Sequence, residues 1–325
     1  MSEAPALRVL LTGSSGWLGR HLAPLLRAAG HAVTGLDPAA GAETQVTGSV
    51  ADRDLVRALF EEHRFDAVIH GGGLHKPDIV RYPTQAFVDV NVTGTLNLLE
   101  AAVAHKVQRF VFTSTTSLMI SALIRSGTAD RAIWLDEGFS PLAPRNIYGI
   151  TKLAAEQLCR LYHERHALRC VVLRTGRFFP EEDDTERALT GENIKANEFL
   201  NRRLTVADAA AAHIAALERA PLLGFDLFLV AAPTPFAPAD VVPLKINAAA
   251  VVGRYFPDAP ALYAARGWSL PASIDRVYDS RRAERLLGFR CKTDFAAILA
   301  ALRDGAPMPF VHDADYVSPL VAGQA

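Results

Sequence analysis

Cysteine is scarce in this chain, and an excess of charge of either sign and long apolar runs are missing from it. Its 325 residues hold three cysteines, Cys159, Cys170 and Cys291, which are far apart, odd in number and in no C-x-x-C pair. That argues against both a disulfide framework and a cysteine zinc site, and it fits a reducing compartment. Lys and Arg number 34 against 35 Asp and Glu, so the formal net charge is −1. No global field draws the protein toward nucleic acid or an anionic membrane. No apolar stretch approaches the ~20 residues that span a bilayer. The opening "MSEAPALRVLLTGSSG" has neither the basic n-region nor the long apolar h-region of a secretion signal. The ten histidines include no pair with ligand spacing beside a carboxylate, and the run Glu181–Asp184 reads as a solvated loop, so no metal is expected. What remains is a cytoplasmic soluble protein of one large domain with an appendage, or of two domains.

What the chain does have is repetition of a simple pattern. Short continuous runs rich in Val, Ile, Leu and Phe stand at 7–12, 31–36, 65–70, 108–113 and 169–174. Such runs read as parallel strands buried on both faces. Helical periodicity fills the gaps at about 17–29, 52–63, 84–105 and 146–166. Strand–helix–strand repetition predicts an α/β, Rossmann-like, doubly wound parallel sheet. The boundary is set at 1–175 for a dinucleotide-binding domain and 176–325 for a smaller, mainly substrate-binding region. Within the latter, 178–193 reads as loop, 205–220 as a helix and 225–230 as a strand, and 205–232 is expected to pack back on the first domain. The stretch 274–289 reads as one helix stopped at Gly288, another helix runs to about 303, and the tail 306–325 reads as a surface arm.

The most informative stretch is "LLTGSSGWLGRHLAPLL", in which Gly13, Gly16 and Gly19 follow the first strand and open the first helix. Glycine there permits close approach of a diphosphate, and the helix start supplies amide donors and a favourable dipole. Ser15, Trp17 and Leu18 share that loop as cofactor contacts. Asp37 ends the second strand, 18 residues after Gly19. A carboxylate there can accept both ribose hydroxyls and repels a 2′-phosphate, which favours NAD over NADP. Turn glycines and a turn aspartate before Pro38 are the plainer readings of the same residues.

Tyr148 stands four residues before Lys152 at the start of a helical pattern. The spacing puts both side chains on one helix face. A free tyrosine is about one part in a thousand ionised at pH 7, and a neighbouring ammonium lowers its pKa toward the range useful for proton transfer.

Together, the glycine loop, Asp37, "TSTTS" (113–117) and the Tyr148-x-x-x-Lys152 pair resemble the extended short-chain dehydrogenase/reductase family, in its NAD-dependent epimerase/dehydratase branch. "DVNVTGTLNLLEAA", "RFVFTSTTS", "NIYGITKLAAEQL", "VADAAAAH" and "YDSRRAERLLGF" occur in that family's order. The resemblance implies that Tyr148 is the general acid/base, that Lys152 lowers its pKa and holds the nicotinamide ribose, and that Thr115 binds the substrate oxygen. It implies that Asn91 lies on the helix behind the site and that Ser49 and Val50 touch the adenine, although the family usually has Asp at the place of Ser49. It also implies a homodimer built on helices 84–105 and 146–166.

Three departures bear on the substrate. "HGGG" (70–73) replaces the family's His-Leu-Ala-Ala-like run. Its extra glycines, Gly71 among the cofactor candidates, imply a more mobile loop, a close backbone approach, or a plain turn. "LMIS" (118–121) replaces Val-Tyr-Gly, so an aromatic wall is missing. Arg177 stands where UDP-sugar epimerases usually carry asparagine. It reads either as a grip on a carboxylate or phosphate, or as a surface ion pair with Glu181–Asp184. Thr116 and Arg177 are the substrate candidates, while His70, His75, Arg202 and Arg203 read at least as well as ordinary loop and surface residues. The leading function is an NAD-dependent oxidoreductase moving hydride to or from a hydroxyl-bearing carbon of a sugar or sugar derivative, a uronate included. The alternatives are a redox-neutral UDP-sugar epimerase holding NAD tightly and, third, a non-catalytic dinucleotide sensor. Thr116 and Ser117 replace the Asp-Glu pair that a dehydratase of this family would use.

Overall fold

The computed structural model describes residues 6–182 and 188–322. The chain runs β1 (Arg8–Thr12), α1 (Trp17–Ala28), β2 (Ala32–Asp37), β3 (Val46–Thr47), α2 (Arg53–Glu62), β4 (Ala67–His70), α3 (Thr84–Phe87), α4 (Gly94–Ala104) and β5 (Arg109–Thr115). It continues with α5 (Ala122–Ser126), β6 (Ile133–Leu135), α6 (Ile147–His166), β7 (Cys170–Thr175), α7 (Gly191–Glu198), α8 (Val206–Leu223) and β8 (Phe225–Val230). The remainder is α9 (Val241–Tyr255), α10 (Ala259–Arg266), β9 (Arg276–Tyr278), α11 (Arg281–Leu287), α12 (Phe295–Asp304) and α13 (Pro319–Ala322).

Seven strands form one parallel sheet in the order β3-β2-β1-β4-β5-β7-β8. The apolar runs are strands because both faces are covered. On one face α1 and α8 pack Leu22, Leu26, Ala209, Ala216 and Ala220 against Val9, Leu11, Val111 and Val171. On the other, α2, α4 and α6 pack Phe60, Leu98, Leu99 and Ala155 against Leu10, Val68, Phe110 and Val172. Alternate strand residues thus feed opposite cores. The alanine-rich α8 lies close to the sheet and to α1, and Thr205 caps it by accepting from Asp208 N at 3.0 Å. A third cluster, with Phe199, Leu244, Val252, Tyr263 and Phe295, knits α7, α9, α10 and α12 together.

Several expectations change. The segment read as one helix over 274–289 is strand β9, paired in parallel with β6, followed by α11. The alternation of "IDRVY" is short, and Val277 and Tyr278 are buried against other elements. The loop reading of 178–193 gives way at Gly191, where Thr190 caps α7 by accepting from Asn193 N at 3.3 Å. Asp183 and Asp184 of the acidic run lie outside the described residues. The helix over 84–105 is interrupted by a widened π turn at Val88–Thr93. The tail is not a free arm: Tyr316 meets Trp17 edge-on at 5.3 Å, and Leu320 packs on the cluster of Leu74, Phe87 and Tyr148.

Candidate active site

The carboxyl ends of β1, β4, β5 and β7 lie side by side at one edge of the parallel sheet, the usual ligand side of an open α/β sheet. At β1 the chain turns through Gly13, whose φ is +77°. A Cβ on Gly13 would lie 2.7 Å from Gly72 N, and one on Gly19 would lie 2.2 Å from Gly13 O. Gly16 caps α1 without any side-chain hydrogen bond, so the first amides of that helix are left for an external acceptor. Trp17 leans away from them, its Nε1 donating to Phe178 O at 3.1 Å.

Asp37 ends β2 beside this loop. Its carboxylate accepts Ser15 N at 3.2 Å and Ala39 N at 2.8 Å. Burial pushes its pKa up, against those two amide bonds. The Ser15 hydroxyl donates to Ala39 O at 2.7 Å, and Ser49 Oγ accepts Ala51 N at 3.1 Å. Val50 is buried in the core face under Gly94, whose missing Cβ would lie 2.5 Å from Val50 Cγ2.

The glycine run after β4 is a packing device. Gly71 and Gly72 lie against Thr12 and Gly13, with a Cβ on Gly71 3.1 Å from Thr12 O and one on Gly72 3.1 Å from Gly13 N. His70 before it is a core residue, bonded to Thr12 Oγ1 at 2.7 Å and to Thr95 Oγ1 at 3.0 Å. Burial, helped by Lys152, lowers its pKa to about 3, so it is neutral. Asn91, in the π turn, accepts Leu74 N and donates to Leu74 O, both at 2.9 Å, and donates to Thr151 at 3.1 Å. Its amide therefore pins the loop to α6.

Asn146 starts α6 by accepting Gly149 N at 2.9 Å. That cap places Tyr148 in the first turn, buried, with its phenol hydrogen-bonded to the Thr115 hydroxyl. Burial pushes Tyr148 up to about 12; the Thr115 bond pulls it down and the Asp78 carboxylate pushes it further up. One turn on, Lys152 Nζ donates to Thr113 O at 2.8 Å and sits 4.6 Å over the Phe112 ring. Burial lowers its pKa to about 8, opposed by Cys159 and Glu156. Thr116 donates to Thr175 O at 3.3 Å.

A buried layer that sequence reasoning missed supports this pair. Glu156 takes Ser114 Oγ at 2.6 Å and the Arg174 guanidinium at 3.0 and 2.7 Å. His213 Nδ1 donates to Ala209 O at 2.7 Å, so Nε2 accepts the Thr113 hydroxyl at 2.7 Å. Glu156 lies one further turn beyond Lys152 on the same face of α6, a spacing legible in "YGITKLAAE".

Arg177 follows β7 and forms a bridge with Arg203. Asp183 and Asp184, which the surface-pair reading also involves, lie outside the described residues; the Arg177 guanidinium lies 3.7 Å from the Glu198 carboxylate. Arg202 and Arg203 hold the same carboxylate at 2.8 and 2.7 Å. Burial would raise Glu198, but the three guanidinium groups hold it far below the usual carboxylate range. Arg203 is thus buried and Arg202 largely so, rather than forming a solvated face. A cavity of about 650 Å³ lies elsewhere, between α6, β8 and α11. Its charges pair off, as in Arg282 with Asp226 and Arg281 with Asp279, and it contains neither Tyr148 nor the glycine loop.

Residues 9–221 match the model of the NAD dependent epimerase/dehydratase family. The chain belongs to that family. A uronate dehydrogenase of Pseudomonas syringae pv. tomato is 31% identical over 186 residues, covering 55% of this chain and 62% of the relative. A UDP-glucose 4-epimerase of Oryza sativa subsp. japonica is 31% identical over 185 residues, covering 51% and 48%. The alignments thus span about half to three-fifths of these relatives' lengths. A UDP-Glc/GlcNAc 4-epimerase of Campylobacter jejuni is similar in fold, with TM-score 0.66, 20% identity and coverage of 91% of this chain and 98% of that one.

Proposed function

We propose that this family member is an NAD-dependent oxidoreductase acting on a hydroxyl-bearing carbon of an acidic sugar. The carrying observation is the Thr115–Tyr148 hydroxyl pair with the buried Lys152 one turn further along the same helix. The cofactor fits the residues present: Gly13, Gly16 and Gly19 leave a side-chain-free cradle at an uncapped helix start, and Asp37 lies beside it at the end of β2. Ser15, Leu18, Ser49, Val50, Gly71, Tyr148 and Lys152 complete that assignment, with Trp17 and Asn91 holding its walls. NAD, when bound, supplies the hydride acceptor. Tyr148 then takes the proton of the substrate hydroxyl while Thr115 holds the same oxygen. In the ligand-free protein burial holds Tyr148 up and Lys152 down, and Lys152 is not among the groups that lower Tyr148, contrary to the expectation from the sequence; we assign Lys152 to favouring the phenolate once NAD and substrate are bound.

The acidic sugar is supported by the uronate dehydrogenase among the relatives and by the position of Arg177, a cationic side chain just after β7. Absorbance at 340 nm with NAD and a panel of uronic acids, aldoses and UDP-sugars tests this. NADH formation with a uronate is expected. Product epimers without net NADH would replace it with the epimerase reading, and tight NAD binding without turnover with the sensor reading. A homodimer through α4 and α6 fits the half-exposed Ile150 on α6. Solution scattering should give twice the 35.1 kDa chain mass, and a monomer mass refutes it.

A further inference from the structure

The tail after α12 is fixed first on the outer cluster and then crosses the sheet. Phe310 stacks on Phe199, with ring centroids 5.6 Å apart and planes at 25°. His312 Nδ1 lies 2.9 Å from Lys195 Nζ, and Asp313 N donates to Pro180 O at 3.0 Å, in the loop that follows β7. Tyr316 then meets Trp17 edge-on at 5.3 Å. The Arg20 guanidinium lies 5.3 Å from the Trp17 ring and 5.8 Å from the Tyr316 ring. Ser318 O accepts Val321 N and Ala322 N at 2.9 and 3.0 Å, which winds the chain into α13. Leu320 of that turn packs on the cluster of Leu74, Phe87 and Tyr148.

These contacts belong to opposite faces of the sheet. Trp17 opens α1, which packs on one face with α8, and Tyr148 is in the first turn of α6, which packs on the other with α2 and α4. Each of the two helices joins a pair of parallel strands, so both begin at the carboxyl edge of the sheet. The four residues from Tyr316 to Leu320 reach at most about 14 Å. A segment that short passes from one face to the other only across the edge itself. The same edge carries the Gly13 loop toward one side and Tyr148 toward the other, the two ends assigned to NAD above. The plainer role, an apolar wrap on the surface, would bury side chains of the tail. None of residues 303–322 is buried, and Val311 and Val317 are exposed. A segment held by separate, half-buried side chains opens at low cost in free energy.

We propose that residues 311–322 form a strap across the NAD site, so that the dinucleotide enters and leaves only when Tyr316 and Leu320 lift. This rests on the placement of NAD between the Gly13 loop and Tyr148. The strap docks on walls of the site, Trp17, Leu74 and Phe87, that stay in place with the cofactor bound. It therefore governs the two rates of exchange more than the affinity.

Stopped-flow fluorescence of NADH tests this, with association read on mixing and release read on displacement by excess NAD, alongside calorimetry for Kd. Tyr316→Ser and Leu320→Ser each remove a half-buried apolar contact and should speed both rates roughly 3- to 10-fold. A chain ending at Phe310 loses both contacts and should speed them roughly 10-fold or more, with Kd changing less than either rate. The native cysteines are buried, so Arg20→Cys with Tyr316→Cys can be bridged selectively by a short bis-maleimide. Bridging should slow both rates relative to the unbridged double variant. Rates that ignore the point variants and the bridge overturn the strap. Faster association with unchanged release overturns it too, because the tail would then compete with NADH rather than cover it. If the shortened chain fails to fold, the point variants and the bridge decide in the same terms. A wild type that binds no NADH removes the NAD placement and the strap together; normal binding with rates indifferent to the tail removes the strap alone.

Discussion

Replacing Lys152 by methionine separates what the site needs from what the fold prefers. Burial lowers the Lys152 pKa from 10.5 to about 8 in the ligand-free protein, which corresponds to about 3 kcal/mol of penalty on the ammonium at neutral pH. Methionine fills a similar volume without charge. It also leaves Thr113 O without its 2.8 Å donor, a loss of about 1–3 kcal/mol. The two terms nearly offset, so Lys152→Met should be as stable as wild type or about 1 kcal/mol more stable at pH 7, a shift of roughly 2–4 °C or less in Tm. The pH dependence carries the sharper sign. A depressed folded-state pKa means that the unfolded chain binds more protons between pH 8 and 10.5, so wild-type stability gains with rising pH in that window. The gain is complete above 10.5 and lost as pH falls through about 8. Other groups titrate in both proteins, so the difference isolates Lys152. Chemical denaturation of both proteins at pH 7, 8, 9 and 10 should show the variant losing about 3 kcal/mol of relative stability across the series. Meanwhile kcat should drop about 10²- to 10⁴-fold. A pH-independent stability difference would refute the buried-ammonium argument.

Other substitutions test the surroundings. Glu156→Gln leaves the buried Arg174 guanidinium without its charge partner and should destabilise the protein by about 3–5 kcal/mol, measurable by urea unfolding. Gly13→Ala adds a Cβ 2.7 Å from Gly72 N at a φ of +77°, and calorimetry should find NADH binding abolished. Gly30→Ala, at φ +87° with nothing within 4 Å, should lose about 1 kcal/mol of stability and bind NADH normally. His213→Phe removes a neutral acceptor whose pKa burial has lowered to about 4. It leaves the Thr113 hydroxyl unpaired, with an expected loss of about 1–3 kcal/mol in thermal unfolding.

The parallel sheet was legible because its strands are buried on both faces and so write continuous apolar runs. Each of the five runs read up to residue 175 lies within two residues of an observed strand. Beyond β7 the signal weakens for a physical reason. β9 is three residues long and pairs with β6 more than 130 residues earlier, and nothing local distinguishes such a strand from the start of a helix. α9 and α10 were hidden behind Pro233, Pro235 and Pro238, which end the preceding segment without forbidding a helix after Asp240. At the site, Tyr148, Lys152, Thr115 and the glycines announce themselves by type and spacing. Asp78, Glu156 and Arg174 do not, because a charged residue acquires its role from whom it meets in the interior. Arg202 and Arg203 looked like solvated neighbours because Glu198, which holds both, stands at the end of α7, a helix that does not announce itself in the sequence.

The backbone crossing of Gly13 and Gly72 ties two loops separated by nearly sixty residues into one part. Each glycine sits where the other's side chain would have to go, so neither position is free to change while the other stays. Grafting the first βα turn of this chain onto another scaffold would therefore carry over only half of the device unless the HGGG segment travelled with it. A library that randomises one of these loops should randomise both, since any accommodating sequence has to be found as a pair.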